Sequence, residues 1–141
     1  MRRPFTALLA ASAIAFAMVA TLFTSPSEAR REAEVIGGNT AALDGTLRKG
    51  CHTYRFAYVA QVPTEDWTLE VSIVDRRGLA VASFAFIGPT DPKTQTTSYR
   101  LCRGATVPGT FRIKSILNWY DDPSMPIPAY VPVTRFRLAR P

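Results

Sequence analysis

The chain has 141 residues, with 17 basic against 11 acidic side chains. Its net charge of +6 favours contact with anionic surfaces, but the basic residues are dispersed and no basic stripe interleaves with aromatics, which argues against nucleic acid. One histidine and a cysteine pair expected to be oxidised argue against a zinc site.

The first 29 residues read as an export signal. Arg2 and Arg3 form a basic start, Ala7 to Phe23 is uncharged and mostly apolar, and Ser27-Glu28-Ala29 gives a small-x-small cleavage pattern. Cleavage after Ala29 is expected; retention as a membrane anchor is the alternative, and the only one that would bring a membrane partner. The Arg2-Arg3-Pro4-Phe5 start also resembles a shortened twin-arginine signal, but Pro4 and Thr6 fit that motif poorly, so ordinary secretion is expected. The remaining 112 residues suit one domain.

Arg30 to Asn39 is polar, with a Gly37-Gly38 break, and predicts a flexible leader ahead of a domain over 40–141. Tyr54, Phe56 and Tyr58 then alternate with Arg55 and Ala57 as in a half-buried strand. Trp67, Leu69, Val71 and Ile73 alternate with Thr68, Glu70 and Ser72, and Asp75-Arg76-Arg77-Gly78 closes that strand as a turn. Ala80 to Ile87 carries Phe84 and Phe86 on one face, before a Gly88-Pro89 break. Thr97, Tyr99 and Leu101 make the next strand, and Phe111, Ile113, Ser115, Leu117 and Trp119 the one after it. Asp121 to Pro128 holds three prolines and predicts an ordered extended loop, with a last strand over Val131 to Leu138. No later segment has helical periodicity. The pattern predicts an all-β fold: an antiparallel, jelly-roll-like β-sandwich of about six to eight strands, preceded by the signal helix.

Cys51 and Cys102 form an even pair in a chain expected outside the cytoplasm, which predicts one disulfide joining neighbouring strand ends. No G-x-S-x-G motif occurs, and His52, next to Cys51 on an extended segment, points to the opposite face from that thiol. Glu65 and Asp66 with Asp121 and Asp122 are the remaining acids for glycosidase-type catalysis, but acids in turns are ordinarily solvated. No enzyme is therefore expected. Calcium is the metal to consider, held by Asp121 and Asp122 with help from Asp44 or Asp75; the ordinary alternative is that these acids cap backbone amides. Trp119, Tyr120 and Tyr130 flank the acidic loop and are the candidate ligand-binding aromatics, since ring faces beside carboxylates stack on sugars. Core parity is the competing reading for Trp119.

Leu43-Asp44-Gly45-Thr46-Leu47, Tyr54-Arg55-Phe56, Trp67-Thr68-Leu69-Glu70-Val71 with its Asp75-Arg76-Arg77-Gly78 turn, and Gly109-Thr110-Phe111-Arg112-Ile113 follow one another in order. This run resembles the bacterial pre-peptidase C-terminal (PPC) type of jelly-roll domain. The resemblance implies an accessory module that assists substrate or surface contact, and it brings no catalytic residues. Together these readings lead to an exported non-catalytic binding module for carbohydrate, wall polymer or an anionic envelope surface. The alternative is a structural protein of the cell envelope that acts through protein–protein contacts at its sheet edges.

Overall fold

A computed structural model describes residues 36–141; the signal segment and most of the leader lie outside the described residues. The described chain is all-β. It comprises β1 (Gly37–Ala41), β2 (Gly45–Thr46), β3 (Cys51–Gln61), β4 (Trp67–Val74), β5 (Ala80–Ile87), β6 (Thr94–Cys102), β7 (Gly109–Asp122), β8 (Met125–Ala129) and β9 (Thr134–Ala139). Two sheets result: a narrow one in the order β1-β3-β6, and a wide one in the order β2-β9-β7-β4-β5 with β8 also on β7. Every strand pairing is antiparallel except the two-residue β2–β9 contact, which is parallel; an isolated parallel bridge also joins Gly37 to Tyr130.

The period-two pattern builds the core. Phe56 and Tyr58 of β3 and Tyr99 and Leu101 of β6 face Trp67, Leu69, Val71 and Ile73 of β4, Phe86 of β5, and Phe111, Ile113 and Leu117 of β7. Phe136 and Leu138 complete it, both at most 3% exposed. The aromatic rings interlock: Tyr58 and Phe86 centroids lie 4.3 Å apart, and Phe56 and Phe84 5.1 Å apart. Such contacts add about 0.5–1.5 kcal/mol each beyond the area they bury. Burial of the Tyr58 phenol, with Asp91 nearby, pushes its pKa up to about 12, and its hydroxyl donates to the Pro92 carbonyl at 2.9 Å.

Two expectations need correction. The Gly37-Gly38 break belongs to a strand: β1 pairs Gly37–Ala41 with Ala57–Gln61, so the ordered domain begins inside the segment read as leader. Glycine is required there by close approach. A Cβ on Gly37 would sit 2.9 Å from the Tyr130 carbonyl oxygen, and one on Gly38 2.9 Å from Val131 Cγ2. The second correction concerns Asp121 to Pro128, which is a hairpin and not a loop. Asp122 ends β7, and β8 returns along it with Ile127 opposite Trp119 and Pro126 opposite Tyr120. Pro126 and Pro128 are two residues apart, so both imide nitrogens turn to the same side of β8. On an edge strand that side is the unpaired one, and the ladder to β7 loses no donor.

Candidate functional site

The two tyrosines and the tryptophan separate onto opposite faces of the wide sheet. Trp119 pairs with the fully buried Trp67 and packs partly buried against the core. Tyr120, one residue on, lies on the outer face, its hydroxyl 3.5 Å from Thr68 Oγ1. Its backbone N–H donates to the Asp66 carbonyl at 3.0 Å. Tyr130 follows β8 on the same alternation as Pro126 and Pro128 and is 77% exposed. Tyr120, Asn118 and Ile116 of β7 thus share a solvent-facing surface with Pro126, Pro128 and Tyr130. From Tyr120 to Ile116, the level Tyr130 reaches, is four residues, about 13 Å along the strand.

The acids sort by sheet end. Asp66 lies beside Tyr120, so Glu65, Asp66, Asp121 and Asp122 gather at one end of the wide sheet. Glu65 is paired with Lys93 Nζ at 2.7 Å. Asp122 Oδ1 accepts from the Ser124 amide at 2.9 Å and the Ser124 hydroxyl at 2.7 Å, and these bonds hold its carboxyl below the usual carboxylate range. Asp44 accepts from the Arg137 amide at the sheet's β9 side. Asp75 sits beyond Val74, whose partner on β7 is Arg112. Ten residues of β7, about 33 Å, separate that level from Asp122. Neither Asp44 nor Asp75 therefore joins Asp121 and Asp122. Among the described residues no three histidine, cysteine, aspartate or glutamate side chains converge as a metal site. Asp122 serves the turn of the hairpin, as the capping alternative expected.

Cys51 and Cys102 are directly opposite on β3 and β6 and are joined by a disulfide. An oxidising, extracytoplasmic compartment suits such a bond. Gly50 and Arg103 share the next backbone hydrogen bond, which leaves the cysteines at a close non-hydrogen-bonded position. His52 turns its Nε2 to the Lys49 carbonyl oxygen at 2.8 Å and so ties down the tight turn at Gly50 (φ +87°).

A feature outside the sequence expectations is an open groove of about 720 Å³ where the chain crosses from the narrow sheet to the wide one. The crossing segment Ala41–Thr46, Tyr54, Tyr99 and Leu138 line it, with Arg48, His52 and Arg55 at its rim. The Tyr54 hydroxyl spans the gap, donating to the Thr46 carbonyl and accepting from the Arg48 amide, both at 3.1 Å. Leu43 projects from the crossing at 88% exposure. β1 covers β3 only from Ala57 to Gln61, so the stretch Cys51–Phe56 has β6 on one side and no strand on the other. The Ala60 amide bonds toward the β6 side, at Lys93. By alternation the backbone groups of Thr53 and Arg55 point to the open edge, into the groove region. Nothing in the local sequence pattern marks this groove, because β1 begins in the segment read as a leader.

No family model matches this chain, and no curated protein or solved structure is significantly similar to it.

Proposed function

We propose that this chain is an exported, non-catalytic binding module whose wide sheet presents its outer face to carbohydrate or another wall polymer. The observation that carries the reading is the placement of Tyr120 and Tyr130 on one wet face, with the Asn118 amide and two prolines between them. Two tyrosines whose backbone levels are offset by about 13 Å along the strand direction suit an extended polymer better than a single small molecule. The signal-like start and the Cys51–Cys102 bond support export, and the PPC-like motifs support an accessory role. Co-sedimentation with insoluble polysaccharide across a salt series tests the proposal. Stacking survives high salt, and Tyr120→Ala with Tyr130→Ala removes it.

A second reading, an envelope protein acting through protein contacts, draws on the unpaired edge of β3. An extended segment from a partner could add there, bonding to Thr53 and Arg55 and placing side chains in the adjoining groove. Concentration-dependent assembly without glycan, blocked by Thr53→Pro, distinguishes it from the first.

A further inference from the structure

Arginines that are dispersed in the sequence meet at the end of the wide sheet remote from Tyr120. Arg112 of β7 lies directly opposite Arg135 of β9, and Arg137 opposite Thr110. Their neighbours Phe111, Phe136 and Leu138 point into the core, so these arginines share the outer face. Arg76, from the turn after β4, lays its stem over Gly109, where an added Cβ would meet Arg76 Cδ at 2.9 Å. Arg112 reaches toward the same turn: its Nη2 would be 3.9 Å from a Cβ on Gly78. Two shallow concavities adjoin at Arg76. One, of about 290 Å³, is lined with Thr110, Arg112 and Arg135; the other, of about 360 Å³, includes Gly109, Arg137 and Arg140.

No side chain of this cluster is ion-paired within the described residues, and the neighbouring Asp44 carboxylate accepts from the Arg137 backbone amide and not from its guanidinium. Among the described residues the ion pairs are Arg77–Asp75 and Lys93–Glu65, and neither involves these arginines. Asp75, the nearest acid along the chain, is fully buried and engaged by Arg77. The exposed acids Asp121 and Asp122 lie at the other end of β7. Like charges directly opposite on an antiparallel pair oppose folding, so the Arg112–Arg135 pair burdens the ladder unless an anion bridges it. A guanidinium offers a planar fork of donors that matches phosphate oxygens, with several donors available to each group.

We propose that Arg76, Arg112, Arg135 and Arg137 form a binding site for phosphate-rich polyanions, whether a phosphate-bearing polymer or the headgroups of an anionic lipid surface. The site is separate from the tyrosine face and does not rest on glycan binding there. The test measures binding of the intact, oxidised protein to fluorescent polyphosphate, and to vesicles of phosphatidylglycerol with phosphatidylcholine against phosphatidylcholine alone. Two double variants, Arg112→Gln/Arg135→Gln and Arg76→Gln/Arg137→Gln, are compared with Arg48→Gln/Arg55→Gln, which removes equal charge elsewhere. Each cluster variant is expected to lose tenfold or more in affinity and to lower the salt slope by about two. The control is expected to lose less than twofold. Arg112→Gln/Arg135→Gln is also expected to melt no lower than the parent, because it relieves the opposed pair. Binding to polyphosphate alone identifies a polymer as the source, binding to the anionic vesicles alone a lipid headgroup, and either supports the site. Equal losses in cluster and control variants, or no phosphate-dependent binding by the parent, would overturn it.

Discussion

Replacing Asp75 by asparagine probes how the turn that carries Arg76 is held. Asp75 is fully buried. Its Oδ1 accepts from the backbone amides of Arg77 at 2.8 Å and Leu79 at 3.3 Å, and its Oδ2 accepts from Arg77 Nε at 2.9 Å. Asparagine keeps one oxygen for the amides but turns an NH2 group against the guanidinium. Hydrogen bonds to a charged group contribute about 1.5–3 kcal/mol each, and the Arg77 side chain is 44% exposed, which weakens its share. The expected cost of Asp75→Asn is therefore about 2 kcal/mol at neutral pH. Its pH dependence follows from the carboxyl's titration. Burial alone would raise its pKa, but the Arg77 side-chain and backbone bonds, the Leu79 amide and the Arg77 charge outweigh it and lower the pKa below 3.8. A group lowered on folding stabilises the fold above its unfolded pKa, and that stabilisation fades as pH falls through the folded value. Urea unfolding followed by the fluorescence of Trp67 and Trp119 should show parent and variant well separated at neutral pH and converging as pH falls through the lowered carboxyl's titration. A gap that stays constant over this range would mean that Asp75 acts by shape and packing, and would refute the charge-based account of the turn.

Other perturbations test other parts of the fold. Removing the disulfide with Cys51→Ser and Cys102→Ser should cost up to about 4 kcal/mol, the chain-entropy value for the separation of 51 residues, read from the urea midpoint. A loss under about 1 kcal/mol would show that the reduced, unfolded chain keeps residual structure that already limits its freedom. Gly88→Ala should destabilise by about 2–3 kcal/mol, because the new methyl would collide with the Glu65 carbonyl and the Trp67 indole, and a parent-like melt would contradict that packing. Pro126→Val with Pro128→Val should leave the fold intact but expose donors on the outer edge of β8, giving concentration-dependent self-association in sedimentation velocity. A variant that stays monomeric would show that the prolines do not protect that edge.

Strand identity and core were legible because nearly every core strand has one wet face. Trp67, Leu69, Val71 and Ile73 alternate cleanly for that reason, and the core parity of Trp119 followed from Phe111 and Leu117. The disulfide was legible because Cys51 and Cys102 are an even pair in a chain expected outside the cytoplasm, and their places at strand ends told where it would lie. Proline and glycine misled where their meaning depends on a neighbour absent from the local sequence. Pro126 and Pro128 are compatible with pairing only because β8 has one partner, and Gly37-Gly38 are glycines because Tyr130 and Val131 crowd them. The gathering of arginines was hidden for a related reason: Arg76, Arg112 and Arg135 are brought together by register across strands, which spacing along one strand does not encode. The groove beside β3 likewise depends on where β1 leaves the narrow sheet, at Ala41 opposite Ala57.

The central claim is that the outer face of the wide sheet binds polymer through Tyr120 and Tyr130, and a pull-down tests it most directly. The oxidised protein is sedimented with insoluble cell-wall polysaccharide at low and high salt, beside a Tyr120→Ala/Tyr130→Ala variant of unchanged melting temperature. The account predicts parent binding that persists at high salt and is lost in the variant. Binding that fades with salt and is equal in the two proteins would contradict it.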